Sequence, residues 1–181
     1  MTEHPQSLPD RYDRTTILLH WLTALLVVLL WGSAQIIDFF AKGPPRWNML
    51  GVHMTLGVAL TGVILVRIFW RLSAGHRLAT VPGMLGMVAR FAHLGLYALI
   101  LAQLALGFAN AWVRGDHVYT WFVIPAFDPA DKVLRKDVGE LHDLFANLIL
   151  IVAGLHAAAG LFHHYLLRDG VLRRMLPQRQ G

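Results

Sequence analysis

The sequence predicts an all-α integral membrane protein, a four-helix transmembrane bundle. Three observations predict it: an apolar content beyond what a soluble domain of this size uses, four apolar blocks long enough to cross a bilayer, and histidines set inside those blocks. Of the 181 residues, 56% are hydrophobic and only 15% are charged, and the mean hydropathy is +0.50. That balance belongs to a chain whose surface meets lipid. The whole chain, 1–181, reads as a single membrane domain.

A hydrocarbon core of about 30 Å takes about 20 helical residues to cross. The four blocks run from Thr16 to Phe39, Trp47 to Trp70, Met84 to Val113 and Val138 to Leu167. Helices are expected because each satisfies its own backbone in lipid. The last two blocks exceed the minimum, so they are expected to tilt or to project beyond the membrane. The leading MTEHPQSLPDRYDRTT carries acids and prolines and no small-residue cleavage site. The first block is therefore expected to stay as an anchor and not to act as a signal peptide.

The connections set the threading. With the N-terminus inside, Arg11, Arg14, Arg67, Arg71, Arg77, Arg90, Arg168, Arg173, Arg174 and Arg179 fall inside, and Lys42, Arg46, Arg114, Lys132, Arg135 and Lys136 fall outside. Ten against six, with no acid between Arg67 and Arg90, favours both termini on the cytoplasmic side. Trp47, Trp70 and Trp112 lie near block ends, where an aromatic belt sits. The connection from Ser73 to Gly83 is short and holds Pro82, whereas the outer loop 114–137 is too long for a turn. With Trp121, Phe122, Pro125 and Phe127 among its charges, that loop is expected to form a partly ordered cap. The net charge is +5, but the basic residues flank apolar blocks, so the electrostatic partner is anionic lipid and no nucleic acid is expected.

Cysteine is absent, which excludes disulfides, thiolate sites and covalent haem attachment. Any metal centre rests on nitrogen or oxygen, and ten histidines are available. An ionisable residue inside a span is costly without a partner, which makes it a functional candidate. Four qualify: His20, His53, His142 and His156. His142 and His156 are 14 residues apart, about 21 Å of helical rise and close to four whole turns, so they project from nearly one face at two depths. One ion cannot bridge them, but two stacked centres can each use one.

Depth on antiparallel neighbours then pairs His53 with His142 at an outer level and His20 with His156 at an inner level. Opposed imidazoles suit a haem iron with both axial positions filled, which gives electron transfer instead of ligand activation. Gly51, Gly57, Gly154, Ala157, Ala158 and Gly160 stand beside them and would let a flat macrocycle or a neighbouring helix approach. The competing readings are interhelical hydrogen-bonding for the histidines and helix packing for the glycines. His93, three residues past Arg90, competes with His156 as partner of His20 or is a polar residue at the interface. His163 lies seven residues past His156 on almost the same face, where it and His164 could hydrogen-bond a quinone head or simply snorkel. His4, His76 and His117 read as loop residues.

This pattern resembles the prokaryotic cytochrome b561 family. The residues that carry the resemblance are RYDRTTILLHW, NMLGVHMTLG, the Arg67 to Arg71 end of the second block and LHDLFANLILIVAGLHAAAGLFHHYLLRDGVLRRMLP, which is the most specific. The resemblance implies four helices in a bacterial inner membrane and two noncovalent b haems with His20, His53, His142 and His156 as axial ligands of iron. It also implies a superoxide oxidase-like activity, passing electrons from superoxide outside to ubiquinone, and a quinone region that includes His163. Lys132, Arg135 and Lys136 would then concentrate a small anion above the outer haem, against dilution by Asp131, Asp137, Glu140 and Asp143. Two other readings stand beside it. One is a cytochrome b subunit serving a partner dehydrogenase or hydrogenase, for which the short termini offer no docking extension. The other is a cofactor-free transporter or scaffold, which lacks intramembrane carboxylates beside His142 and His156.

Overall fold

The computed structural model describes residues 11–75, 78 and 83–176. His4, His76, Arg77, Pro82 and Arg179 lie outside the described residues. Four long helices follow in chain order: α1 (Arg14–Ile37), α2 (Pro44–Ser73), α3 (Gly83–Arg114) and α4 (Lys132–Phe162). All four are long and apolar enough to cross a membrane, α4 together with the turn that follows it. Large apolar side chains such as Leu18, Phe69, Leu94 and Leu155 point outward from all of them. In water that surface would drive aggregation, and in lipid it is matched to its solvent.

Local chemistry sets each helix end. Asp13 caps α1, accepting from Thr16 N at 2.8 Å and from the Thr16 hydroxyl at 2.7 Å. The same carboxylate accepts from the Trp70 indole at 3.0 Å, which ties the start of α1 to the end of α2. α1 stops at Ile37, two residues before the expected Phe39, because Gly43 (φ 112°) and Pro44 turn the chain at once into α2. Arg46 braces this turn on Asp38 at 2.6 Å.

The largest departure from expectation is the start of α4. The helix begins at Lys132, six residues before Val138, because Asp131 accepts from Leu134 N at 2.8 Å and caps it there. Lys132, Arg135 and Lys136 are therefore helical, and the outer loop is shorter than 114–137.

That loop folds as a two-stranded antiparallel hairpin, β1 (His117–Val118) and β2 (Phe122–Val123). Gly115 launches it with φ 67°, and an added Cβ there would lie 2.8 Å from the Ala126 Cβ. The hairpin lies on the start of α2: His117 stacks on Trp47 with ring centroids 3.9 Å apart, and the Tyr119 hydroxyl meets Thr55 Oγ1 at 2.9 Å. His117 is thus a packing residue of the cap.

α1 packs along α2 and α3 along α4, while the two hairpins of helices touch each other sparsely. Leu26, Leu60, Ile64, Ile100 and Ile149 join them in one apolar layer, with Ile64 fully buried. Beyond α4 the chain makes a π turn (His163–Leu167) and a 3-10 turn (Leu172–Met175). The latter docks on α1 through Tyr12 N to Arg174 O at 3.2 Å and the Trp21 indole to Met175 O at 2.8 Å.

Candidate functional site

The sparse seam between the helix hairpins is where the histidines meet. His20 and His53 belong to α1 and α2; His93, His142 and His156 belong to α3 and α4. The Leu26–Ile149 layer lies between two levels, since Ile149 is seven residues from both His142 and His156.

At one level the rings of His53 and His142 face each other with centroids 6.3 Å apart and planes at 76°. At the other, His20 and His156 stand 6.2 Å apart at 67°. An iron held by two imidazoles, with about 2 Å to each nitrogen and about 1.2 Å from nitrogen to ring centre, sets the centres about 6 Å apart. Both pairs fit. His93 lies 5.3 Å from His156, and its side chain is exposed where the other four are half-buried. His93 thus joins His20 and His156 at the same level, within electrostatic reach of His20.

The histidine pairs offer two ligands each, and among the described residues no group of three or more His, Asp or Glu side chains is placed to hold a metal ion. A haem fits such a pair because its porphyrin supplies the other four ligands. The donor chemistry at His53 also fits. Its Nδ1 lies 2.9 Å from Ser33 Oγ, whose own proton goes to Leu30 O at 2.8 Å. Ser33 therefore accepts from His53 Nδ1–H, leaving the Nε2 lone pair free for a metal.

At the His53–His142 level Gln103 Oε1 and His142 Nδ1 are buried without hydrogen-bond partners among the described residues, as is Asn110 Oδ1 about two turns along α3. Buried polar atoms left unpaired cost stability, which makes the place where Gln103 and His142 meet a candidate for a bound group. Gln103 Nε2 approaches His142 Nε2 at 3.3 Å, and Gly107 lets the imidazole lie against α3, where an added Cβ would be 3.2 Å from His142 Cε1. Open space borders Gly57 and Gly154, as it does Gly32, Gly62 and Gly95. The other small residues expected there serve differently. Gly51 receives Tyr119, Gly160 faces Leu172, and Ala157 and Ala158 are exposed.

At the His20–His156 level Arg67 turns inward from α2. Its Nη2 donates to His20 Nδ1 at 3.1 Å and its guanidinium lies 5.3 Å from the Tyr97 ring centre. From the sequence Arg67 read only as a charge at a helix end.

His163 opens the π turn, and its Nδ1 meets Asp169 Oδ2 at 2.5 Å. That bond and the Val171 amide hold the exposed Asp169 carboxyl below its ordinary range. Of the cations at the start of α4, Lys136 pairs with Glu140 at 3.6 Å and Lys132 is exposed. Arg135 donates to Arg114 O at 3.0 Å and stands seven residues before His142, on its face. Burial pushes the neighbouring Asp116 carboxyl up, against the pull of Arg114 at 3.1 Å.

Ser33, Gln103, Gly107, Asn110 and Asp169 were missed by sequence reasoning. The first, second and fourth carried a usable signal, since each is a polar side chain inside an apolar span.

A lipid-facing helical bundle with facing histidines at two depths defines a membrane electron-transfer protein. Comparison makes the family specific: the prokaryotic cytochrome b561 family matches residues 11–178, and the chain belongs to it. A relative from Yersinia pestis described as a probable superoxide oxidase CybB is 33% identical, over 94% of this chain and 98% of its own. Cytochrome b561 homolog 1 of Escherichia coli (strain K12) is 28% identical over 94% and 99%. Cytochrome b562 of Cereibacter sphaeroides is 30% identical over 99% and 100%. The chain is a multi-pass bacterial membrane oxidoreductase of the b-haem type.

Proposed function

We propose that this protein is a di-haem b-type cytochrome that carries electrons from superoxide at the outer face to ubiquinone or a related quinone in the bacterial inner membrane, with both termini cytoplasmic. The observation that carries the reading is the matched ring separation of the two pairs, 6.3 Å for His53 with His142 and 6.2 Å for His20 with His156. The likeness to a relative described as a probable superoxide oxidase supports the donor.

Bound haem supplies reversible one-electron exchange at iron. His20, His53, His142 and His156 would hold it, two histidines to each haem, and it would supply electron transfer without dioxygen binding. Two superoxide ions each lose one electron and leave as dioxygen, and one quinone takes up the two electrons and two protons and leaves as quinol. Arg135 faces the approaching anion above His142. His163, oriented by Asp169 at the opposite end, holds a proton for a quinone oxygen.

The test is a reduced-minus-oxidised optical spectrum of the purified protein with haem counted per chain. Two haems are expected, and alanine at each of His20, His53, His142 and His156 removes or alters one of two populations. Superoxide generated in the presence of ubiquinone should yield quinol. A folded preparation with no Soret band after haem-replete expression would sink the proposal and leave the transporter or scaffold. Copurification of a stoichiometric redox subunit would replace the autonomous enzyme with the electron-transfer subunit.

A further inference from the structure

We infer that Arg67 binds a carboxylate rim group of the porphyrin held by His20 and His156. The inference rests on the di-haem reading. A guanidinium stays charged at any physiological pH, and inside a membrane protein it needs an anionic or strongly accepting partner. Arg67 is joined to an anion by no ion pair among the described residues. Its contacts are a neutral ring acceptor at His20 Nδ1, 3.1 Å away, and Tyr97. Its Nε is buried with no hydrogen-bond partner. No described carboxylate pairs with it, and the sequence from Arg67 to Arg90 contains no acid.

The contact with His20 sharpens the point. A guanidinium only donates, so His20 Nδ1 accepts in this arrangement and its proton sits on Nε2. A histidine that ligates iron through Nε2 carries its proton on Nδ1 instead. The Nδ1–H and the Arg67 Nη2 donor then oppose each other, and the guanidinium must turn to another acceptor. Haem b carries two propionate carboxylates on its rim, and a planar fork of N–H groups matches a carboxylate with two parallel bonds. Around Arg67 at this level stand His20, His93 and His156, Tyr97 and the second cation Arg71; Asp13, the nearby carboxylate, accepts from Thr16 and from the Trp70 indole.

The test uses the full-length protein with haem bound. Redox potentiometry followed at the b-haem bands resolves two components, and His20→Ala identifies the inner one by its loss. Arg67→Gln should shift the inner midpoint to lower potential, since a lost cation disfavours the reduced iron. It should also weaken retention of that haem about tenfold, leaving the outer component unchanged. Arg67→Lys should fall between.

Reconstitution with iron protoporphyrin dimethyl ester, whose carboxylates are blocked, separates carboxylate binding from a through-space charge effect. With the ester, the retention difference between wild type and Arg67→Gln should vanish. An undiminished difference, or midpoints that do not respond to Arg67→Gln, would overturn the inference. If Arg67→Gln does not accumulate, Arg67→Lys carries the same comparison. Absence of haem in the wild type would instead overturn the di-haem reading itself.

Discussion

Ser33 of α1 fixes the tautomer of His53 on α2: the hydroxyl donates to Leu30 O at 2.8 Å and its oxygen accepts from the imidazole Nδ1–H at 2.9 Å. A metal-binding histidine oriented in this way is both aimed and made more basic, and loss of such a support typically costs about 10–100-fold in metal affinity. Ser33→Ala should therefore weaken the outer haem by about that factor and leave the inner haem in place. Haem titration into the apoprotein, followed at the Soret band, measures it. Equal affinity for both variants would show that Ser33 does not support the ligand.

Gly107 and His142 make a second outer-level relationship. A Cβ at Gly107 would lie 3.2 Å from His142 Cε1, so alanine forces a small shift and valine a larger one. Outer-haem occupancy should fall in the order Gly107, Ala, Val, with the chain still inserted and the inner haem retained. Occupancy that does not depend on side-chain size would mean that His142 is free to move aside.

The cap depends on Gly51. A Cβ there would sit 2.8 Å from the Tyr119 ring and 2.9 Å from its backbone nitrogen, and Tyr119 itself holds φ 57°. Gly51→Ala should lift the hairpin from α2 and expose 115–131 to protease on the face that carries it. Limited proteolysis of sealed vesicles reads this directly; an unchanged cleavage rate would contradict the packing.

At the opposite end, Asp169 orients His163. The folded carboxyl titrates below its ordinary 3.8, so its stabilising contribution is complete above that pH and is lost as pH falls through the lower folded value. Quinone reduction is therefore expected to be insensitive to Asp169 titration near neutrality. Asp169→Asn should lower the turnover with ubiquinone at unchanged haem content, and alter its pH profile by releasing His163. A normal turnover and profile would remove His163 and Asp169 from the quinone site.

Among the outer cations, Arg135 stands on the His142 face while Lys136 is occupied by Glu140 at 3.6 Å. Arg135→Gln should slow superoxide-driven haem reduction at low salt more than Lys136→Gln, and the difference should shrink as salt screens it. Equal rates for all three proteins at low salt would count against electrostatic attraction at this face.

Much of this protein was legible in its residue order. Apolar length is a local property, so the four spans could be read directly, and the 14-residue interval between His142 and His156 placed two depths on one helix face. Helix ends were less legible because caps compete over a few residues: Asp131 won α4 six positions early, and Gly43 with Pro44 ended α1 sooner than apolar length implied. Tertiary structure alone decided which side chains meet across the seam. Ser33 reaches His53 over 20 positions and Arg67 reaches His20 over 47, and Tyr119 crosses from the hairpin to Gly51. Such contacts depend on how two helices rotate and slide against each other, a quantity that no periodicity within either helix encodes.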